Sequence, residues 1–306
     1  MANKILYVIG NGFDLHHGLR SRYSHFKDYL KGADKELHDA LIKYFPNDDE
    51  WNDFEATLAY LDTDEMVDHA SMYLMSYGAE DWSDAAHHDY QYELGKLIDL
   101  VTSRLKQRFL EWVLQITIPA EAADNKLELA PGVKYLNFNY TDSLEKIYSI
   151  PEKDILYIHS KAVNNTSDLI LGHGRNPKGV KSLNTGANLE DQDVRVTEGN
   201  ELLDDYFAIN FKPTKKIIKE AKPFFKSLED IDEVHVLGHS VSPVDIAYFK
   251  ELKKNIKSKK VKWKVSFFKN KERDEREEAL VGIGIQKDLI HLDKLKNLYS
   301  RQLSLF

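Results

Sequence analysis

The sequence contains no cysteine, and this absence excludes disulfide bonds and zinc sites built from thiolates. It has no apolar stretch near the roughly 18 residues that a membrane-spanning helix needs. A basic segment followed by an apolar core and a small-residue cleavage site is also missing from its start. We therefore expect a cytoplasmic protein with no membrane partner, and we expect no metal cofactor.

The charge balance argues against nucleic acid as a general partner. The chain has 50 acidic and 42 basic residues, a formal net charge of −8, whereas neutralising phosphates requires concentrated Lys and Arg. Hydrophobic residues make up 42% and charged residues 30% of its 306 residues. This composition is typical of a globular protein that can bury a large core.

The most informative segment is an apolar run that ends at two glycines. Ile5 to Ile9 predict a buried strand, and Gly10 and Gly12 follow it. A first strand that ends in Gly-x-Gly is where open α/β folds hold a nucleotide diphosphate. The third glycine of the dinucleotide motif would fall at Asp14 or the residue after it, and no phosphate-loop Gly-Lys-Ser/Thr is present. A nucleotide pocket and a tight turn without a ligand both stay open.

Helical and strand patterns alternate along the rest of the chain. Helical spacing from about Tyr23 to Ile118 predicts a helical insertion or lobe at 23–125, after the first strand. Such alternation favours an α/β fold with a mainly parallel sheet, in one domain over residues 1–306. Further strands are predicted at 133–137, 155–158, 169–171, 234–237 and 261–268, with a broken helix at 202–228 and a final helical tail.

Polar side chains collect where the predicted strands end, at the edge where doubly wound sheets bind ligands. Each of them could simply cap a helix or satisfy a local hydrogen bond. Together they bring glycines, amides and imidazoles to one edge of the sheet. The segments are Gly10-Asn11-Gly12, Asn137-Phe138-Asn139-Tyr140-Thr141-Asp142, His159-Ser160, Gly172-His173-Gly174 and Gly238-His239-Ser240.

These segments resemble two known families. The closer resemblance is to the AbiH type of bacteriophage abortive-infection protein, through Gly10-Asn11-Gly12-Phe13-Asp14, Tyr23 to Phe26, Asn139-Tyr140-Thr141 and Gly238-His239-Ser240, in that order. The strand ends also resemble the sirtuin-like NAD-binding fold, a Rossmann-type sheet, in which Asn139 matches the shared asparagine and His159 the catalytic histidine. Ser160 and Thr141 depart from the sirtuin glycine and aspartate. The sirtuin zinc ribbon is missing, which disfavours protein deacylation.

The resemblance implies an antiphage abortive-infection effector that hydrolyses NAD at the bond between nicotinamide and ribose. Asn139 would position the ribose or the attacking water, and His159 would be the general base, with His173 as the alternative base. Asp14 is a further catalytic candidate with two interpretations: it orients the nicotinamide, or it caps the following helix. The residues expected to bind NAD are Gly10, Asn11, Gly12, Phe13, Asp14, Tyr140, Thr141, Gly238, His239 and Ser240.

Two other functions stay compatible with the sequence. The first is a non-catalytic sensor that binds NAD, ADP-ribose or a related nucleotide and relays its occupancy to a partner, a hypothesis motivated by Thr141 and Ser160. The second, less favoured, is a nuclease-type toxin with a metal bound by the carboxylates at 48–50, Asp53 and Glu55. Besides the nucleotide, the expected partners are a phage-derived trigger and further copies of the chain.

Overall fold

The structure is a computed structural model that describes residues 4–46, 51–78, 86–186 and 192–299. Its strands are β1 (Ile5–Ile9), β2 (Lys134–Asn137), β3 (Ile155–Tyr157), β4 (Glu233–Leu237), β5 (Lys262–Phe267) and β6 (Ile290–Lys294). Its helices are α1 (Asn11–His16), α2 (Tyr23–Ala33), α3 (Lys35–Tyr44), α4 (Phe54–Thr57), α5 (Thr63–Ser71), α6 (Asp89–Asp99), α7 (Leu105–Leu114), α8 (Ser143–Tyr148), α9 (Val194–Ile209), α10 (Thr214–Glu220), α11 (Lys222–Lys226), α12 (Ile246–Asn255), α13 (Asn270–Gly282) and α14 (Leu295–Tyr299). None of these helices is long and apolar enough to cross a bilayer.

Six strands of the described ranges form one sheet with the order β3-β2-β1-β4-β5-β6, and every pairing is parallel. The predicted α/β class with a mainly parallel sheet is confirmed. After β3 the chain returns to the other side of β1, so β1 and β4 are neighbours. Ile9 pairs with Asn137 and with Leu237, and Asn137 pairs with Tyr157. Four neighbouring strands therefore end at the same level of one sheet edge.

Strand β1 is buried on both faces, as its uninterrupted apolar sequence predicts. Leu6 and Val8 belong to a cluster that includes side chains of α10, α11 and α12. Tyr7 and Ile9 point the other way, into a cluster with side chains of α1, α8 and α14. Each of these four residues is at most 1% exposed. Because helices cover both faces at β1, its carboxyl end is the part of this strand that a ligand could reach.

The chain divides into two compact units. The sheet unit comprises Met1–Arg22, Val113–Ile170 and Pro213–Phe306 and holds the six strands. The helical unit comprises Tyr23–Trp112 and Leu171–Lys212. The predicted single domain and the predicted lobe at 23–125 stay predictions. Aromatic rings with neighbouring centroids 4.9 to 6.3 Å apart fill the interior of the helical unit: Phe26, Trp51, Phe54, Phe109 and Trp112.

The strand predicted at Leu169–Leu171 is wrong. The backbone there forms no strand, and the residues after it contribute one isolated parallel bridge, between His173 and Phe211. The N–H of Ile170 donates instead to the carbonyl oxygen of His159 at 3.0 Å. Three apolar residues do not distinguish a strand from a buried extended loop, because both have the same short apolar pattern.

The end of the chain also differs from its prediction. The predicted helical tail contains β6, which pairs with β5 at the edge of the sheet. Its few apolar residues lie between two helices, and so short an edge strand gives little periodic signal. The predicted break of the long helix is confirmed, because α9 ends before Pro213 and α11 has Pro223 in its first turn.

Candidate functional site

The turns that follow β1 and β4 pack directly on one another. The N–H of Gly10 donates to the carbonyl of Leu237 at 3.0 Å, and the N–H of Gly12 donates to the carbonyl of Gly238 at 2.8 Å. Gly238 has a φ of +71°, and a Cβ placed on it would lie 2.1 Å from the backbone nitrogen of Phe13. Glycine is therefore required here for the close approach of two backbones as well as for the positive φ.

Several amides in these turns already have protein acceptors. Besides the two amides above, the N–H of Phe13 donates to the carbonyl of Gly10 at 2.9 Å. The N–H of Gly238 donates to the hydroxyl of Ser266, at the end of β5, at 2.7 Å. The predicted contact of these glycine turns with a diphosphate stays a prediction. The other predicted positions in the two turns are Asn11, His239 and Ser240.

Asp14 is a buried carboxylate that holds the first two strand ends together. It lies inside α1, whose N-cap is Gly10, so the interpretation of Asp14 as a helix cap is wrong. The hydroxyls of Thr141 and Ser143 each donate to one of its oxygens, the latter at 2.6 Å. Burial raises the pKa of Asp14 to about 6, although hydrogen bonds from Ser143, Thr141 and Asn139 oppose this rise.

Asn139 lies two residues after β2 and is 6% exposed. Its side-chain Nδ2 donates to the carbonyl of Gly10 at 3.2 Å, and its backbone N–H donates to Oδ1 of Asn137 at 3.0 Å. The hydroxyl of the next residue, Tyr140, donates to the carbonyl of Ile170 at 2.9 Å. These bonds fix Asn139 against the end of β1, where the sequence predicts a functional asparagine.

His159 lies two residues after β3 and is 3% exposed. Its Nε2 is 3.5 Å from Oδ1 of Asp245. The ring of Phe138 stands edge-on to the His159 ring, with centroids 5.4 Å apart. Ser160 replaces the glycine of the sirtuin pattern yet has a φ of +69°, a conformation that favours glycine.

His239 reaches the same carboxylate from the end of β4. Its Nε2 is 3.5 Å from Oδ2 of Asp245, and its Nδ1 accepts the N–H of Val241 at 2.9 Å. The sequence did not mark Asp245 as a site residue, because an aspartate directly before a helix is usually an N-cap. Only the folded chain brings this carboxylate between two imidazoles.

His173, the alternative base, lies in the helical unit. It is fully buried, and burial lowers its pKa to about 4. Its ring is 6.2 to 6.4 Å from those of Tyr206, Phe207 and Phe211. Its N–H donates to the carbonyl of Asn210 at 2.8 Å. The structure thus places His173 in an aromatic environment of the other unit, and its role as a base stays a prediction.

No group of three or more His, Asp or Glu residues in the described ranges is arranged to hold a metal ion. Asp48, Asp49 and Glu50, on which the nuclease hypothesis depends, lie outside those ranges. Glu55, from the same acidic run, forms an ion pair with the buried Lys212 and accepts a hydrogen bond from the hydroxyl of Tyr23 at 2.6 Å. Glu55 therefore has a structural partner inside the helical unit.

Comparison with known proteins identifies the family. A family model described as bacteriophage abortive infection AbiH matches residues 6–267. The chain therefore belongs to the AbiH family, and the predicted AbiH resemblance is confirmed. The matched range includes the turns after β1 and β4, Asn139, His159 and Asp245. Neither the curated proteins nor the solved structures contain a match to the chain.

Proposed function

We propose that this member of the AbiH family acts in abortive infection by hydrolysing NAD between nicotinamide and ribose. The observation that carries the proposal is the convergence of buried polar groups at three neighbouring strand ends, with Asp14 after β1, Asn139 after β2 and His159 after β3. The strand order matches that of dinucleotide-binding sheets, which hold their ligand where the order reverses. We therefore propose a Rossmann-type, sirtuin-like NAD pocket at this edge.

The diphosphate of NAD would lie over the turns after β1 and β4. The glycine amides described above donate to protein acceptors, so the backbone donors for the diphosphate would come from Asn11, His239 and Ser240. Asn139 donates through Nδ2 to the carbonyl of Gly10, which leaves its Oδ1 to accept a hydrogen bond from a ribose hydroxyl or a water molecule.

The reaction is a hydrolysis. The bond between nicotinamide and ribose C1′ breaks, and its electron pair leaves with neutral nicotinamide. The oxygen of a water molecule bonds to C1′ as positive charge develops on the ribose. His159 accepts a proton from that water and later returns it to solvent, because neutral imidazole is a base suited to neutral pH. The products are ADP-ribose, nicotinamide and one proton.

Purified protein incubated with NAD tests this proposal, with nicotinamide and ADP-ribose measured by mass spectrometry. Lysate from phage-infected cells is added in parallel samples to supply a trigger. We expect Asn139→Ala and His159→Ala to lower the rate by about 10²- to 10⁴-fold, since each removes a group that acts in the transition state. The matched control is His291→Ala, which removes an exposed imidazole from β6.

The outcomes separate catalysis from sensing. Absence of nicotinamide release from the wild type in every sample would contradict the proposal. Equal rates in wild type and both variants would show that the site is elsewhere. A sensor is the second candidate, favoured by the hydrogen bonds that already occupy Asp14 and Nδ2 of Asn139. Tight binding of NAD in calorimetry, with the ligand unchanged after long incubation, would support the sensor.

A further inference from the structure

Asp245 lies at the N-cap position of α12, but its side chain does not cap the helix. An aspartate at this position usually accepts a backbone N–H two or three residues further on. Asp245 is the N-cap of α12, yet its side chain makes no capping hydrogen bond. Its side chain is only 12% exposed and is directed at two imidazoles, those of His159 and His239. Helix capping therefore does not explain why an aspartate lies at this position.

The tautomer of His239 follows from its hydrogen bond to the backbone. The N–H of Val241 donates to Nδ1, so the neutral ring must carry its proton on Nε2, which faces Asp245. Val241, which donates this bond, has a φ of +57°, a conformation that β-branched residues rarely adopt. Strain of this kind is typical of positions where surrounding structure fixes a functional geometry.

His159 faces the other oxygen of the same carboxylate. Both distances from Nε2 to Asp245 are 3.5 Å, longer than an ordinary hydrogen bond, and such contacts often shorten when a ligand binds. The ring of Phe138 packs against both imidazoles, with centroids 5.4 Å from His159 and 4.2 Å from His239. The aromatic ring and the carboxylate together restrict the orientation of both histidines.

We infer that Asp245 is a positioning residue that directs the Nε2–H of His159 and of His239 toward its two oxygens, so that Nδ1 of His159 is the proton-accepting atom. The role of His159 as a base rests on the proposed function. The tautomers themselves are properties of the unliganded protein. A carboxylate is required because it only accepts, whereas an amide can also donate to Nε2 and permit the opposite tautomer.

Long-range ¹⁵N–¹H NMR spectra of the whole protein test the tautomers at about pH 8, where an ordinary histidine is neutral. The signals are assigned with His159→Gln and His239→Gln. We expect Nε2–H rings for both residues in the wild type. In Asp245→Asn, we expect the Nδ1–H form of His159 to become populated, whereas Val241 should hold His239 in its original form. An Nδ1–H ring for His159 in the wild type overturns the inference, even if Asp245→Asn does not fold.

The rate of NAD hydrolysis is the second measurement that tests the role of Asp245. Asp245→Asn should lower the rate by about 10²- to 10⁴-fold, and Asp245→Glu should restore part of it. The matched control is Asp62→Asn in the helical unit, since Asp62 is the N-cap of α5 and its side chain does accept a capping hydrogen bond, from the N–H of Glu65 at 2.9 Å. An unchanged rate and unchanged tautomers in Asp245→Asn would overturn the inference. Altered tautomers without NAD turnover in the wild type would contradict only the proposed function.

Discussion

Two buried aspartates, one in each unit, have pKa values that are shifted in opposite directions. Asp14 of the sheet unit is 1% exposed and Asp34 of the helical unit is 5% exposed. Asp14 accepts from hydroxyls, and burial raises its pKa to about 6. Burial also acts to raise the pKa of Asp34, but hydrogen bonds from Arg104 and Arg108 overcome this effect and hold it below the usual value.

The two pKa shifts differ because the two aspartates have different hydrogen-bond partners. In the helical unit, cations lie against the carboxylates: Arg104 and Arg108 contact Asp34, and the buried Lys212 contacts the partly exposed Glu55. In the sheet unit, neutral donors satisfy the hydrogen bonds of Asp14 without matching its charge, so the cost of desolvation is only partly offset. Carboxyl groups with raised pKa values are typical of functional sites. The comparison therefore favours the sheet edge as the site and assigns the charges of the helical unit to stability.

The largest loss of stability is expected when a Cβ is added to Gly238, in the turn at the edge of the sheet. In Gly238→Ala the Cβ would meet backbone atoms, the nitrogen of Phe13 at 2.1 Å and the carbonyl carbon of Gly12 at 2.4 Å. We expect a loss of about 4 kcal/mol or more in the free energy of unfolding, because backbone of two packed turns must move. Urea unfolding measures this loss.

Two glycines serve as controls for Gly238. Gly132→Ala should cost only about 1 kcal/mol, since Gly132 also has a positive φ, +68°, but no atom lies within 4 Å of its Cβ position. Gly199→Ala in the helical unit should cost at most about 2 kcal/mol, because the added Cβ meets side chains of Tyr90 and Leu94 and alanine favours the helix. Equal losses at Gly238 and Gly132 would show that the two turns are not closely packed.

The next largest effect is expected from the buried ion pair of the helical unit. Lys212→Met should lower the free energy of unfolding by about 3 to 4 kcal/mol, because it removes the buried ammonium group that forms an ion pair with the Glu55 carboxylate. The double variant with Glu55→Gln should recover at least half of that loss, since no unmatched charge remains. Additive losses in the double variant would contradict a structural role for the pair.

The smallest expected effect is on how stability depends on pH. The contributions of Asp14 and Asp34 to the free energy of unfolding should change with pH in opposite directions. The pKa of Asp14 is raised from 3.8 to about 6, so the stability of the wild type relative to Asp14→Asn should fall as pH rises through this interval. The expected loss is about 2 kcal/mol between pH 4 and pH 6, out of about 3 kcal/mol over the whole titration, because 1 pKa unit corresponds to about 1.4 kcal/mol. Unfolding free energies measured in urea across this pH range test it.

Asp34→Asn is the matched comparison. The pKa of Asp34 is below its usual value, so the stability of the wild type relative to this variant should be retained above about pH 4 and lost as pH falls further. Equal slopes for Asp14→Asn and Asp34→Asn would contradict the distinction between the two units.

Much of the sheet was predictable from local pattern. The buried run Ile5–Ile9 followed by glycines predicted β1 and its turn, because a strand buried on both faces is uniformly apolar. The short pieces were not predictable: Leu169–Leu171 has the pattern of a strand but forms none, and Ile290–Lys294 forms a strand with little pattern. In both cases long-range pairing decided the outcome.

The sequence alone was enough to predict the strand ends, their glycines and the candidates Asn139 and His159, because apolar periodicity and turn residues act locally. It also carried enough ordered segments to indicate the AbiH family. Two contacts form only in the folded chain: the glycine amides of one turn donate to the other strand end, and Asp245 lies 3.5 Å from His159, 86 residues earlier in the sequence. The sequence could not predict these contacts because they depend on the register of neighbouring strands, which sets what each strand end faces.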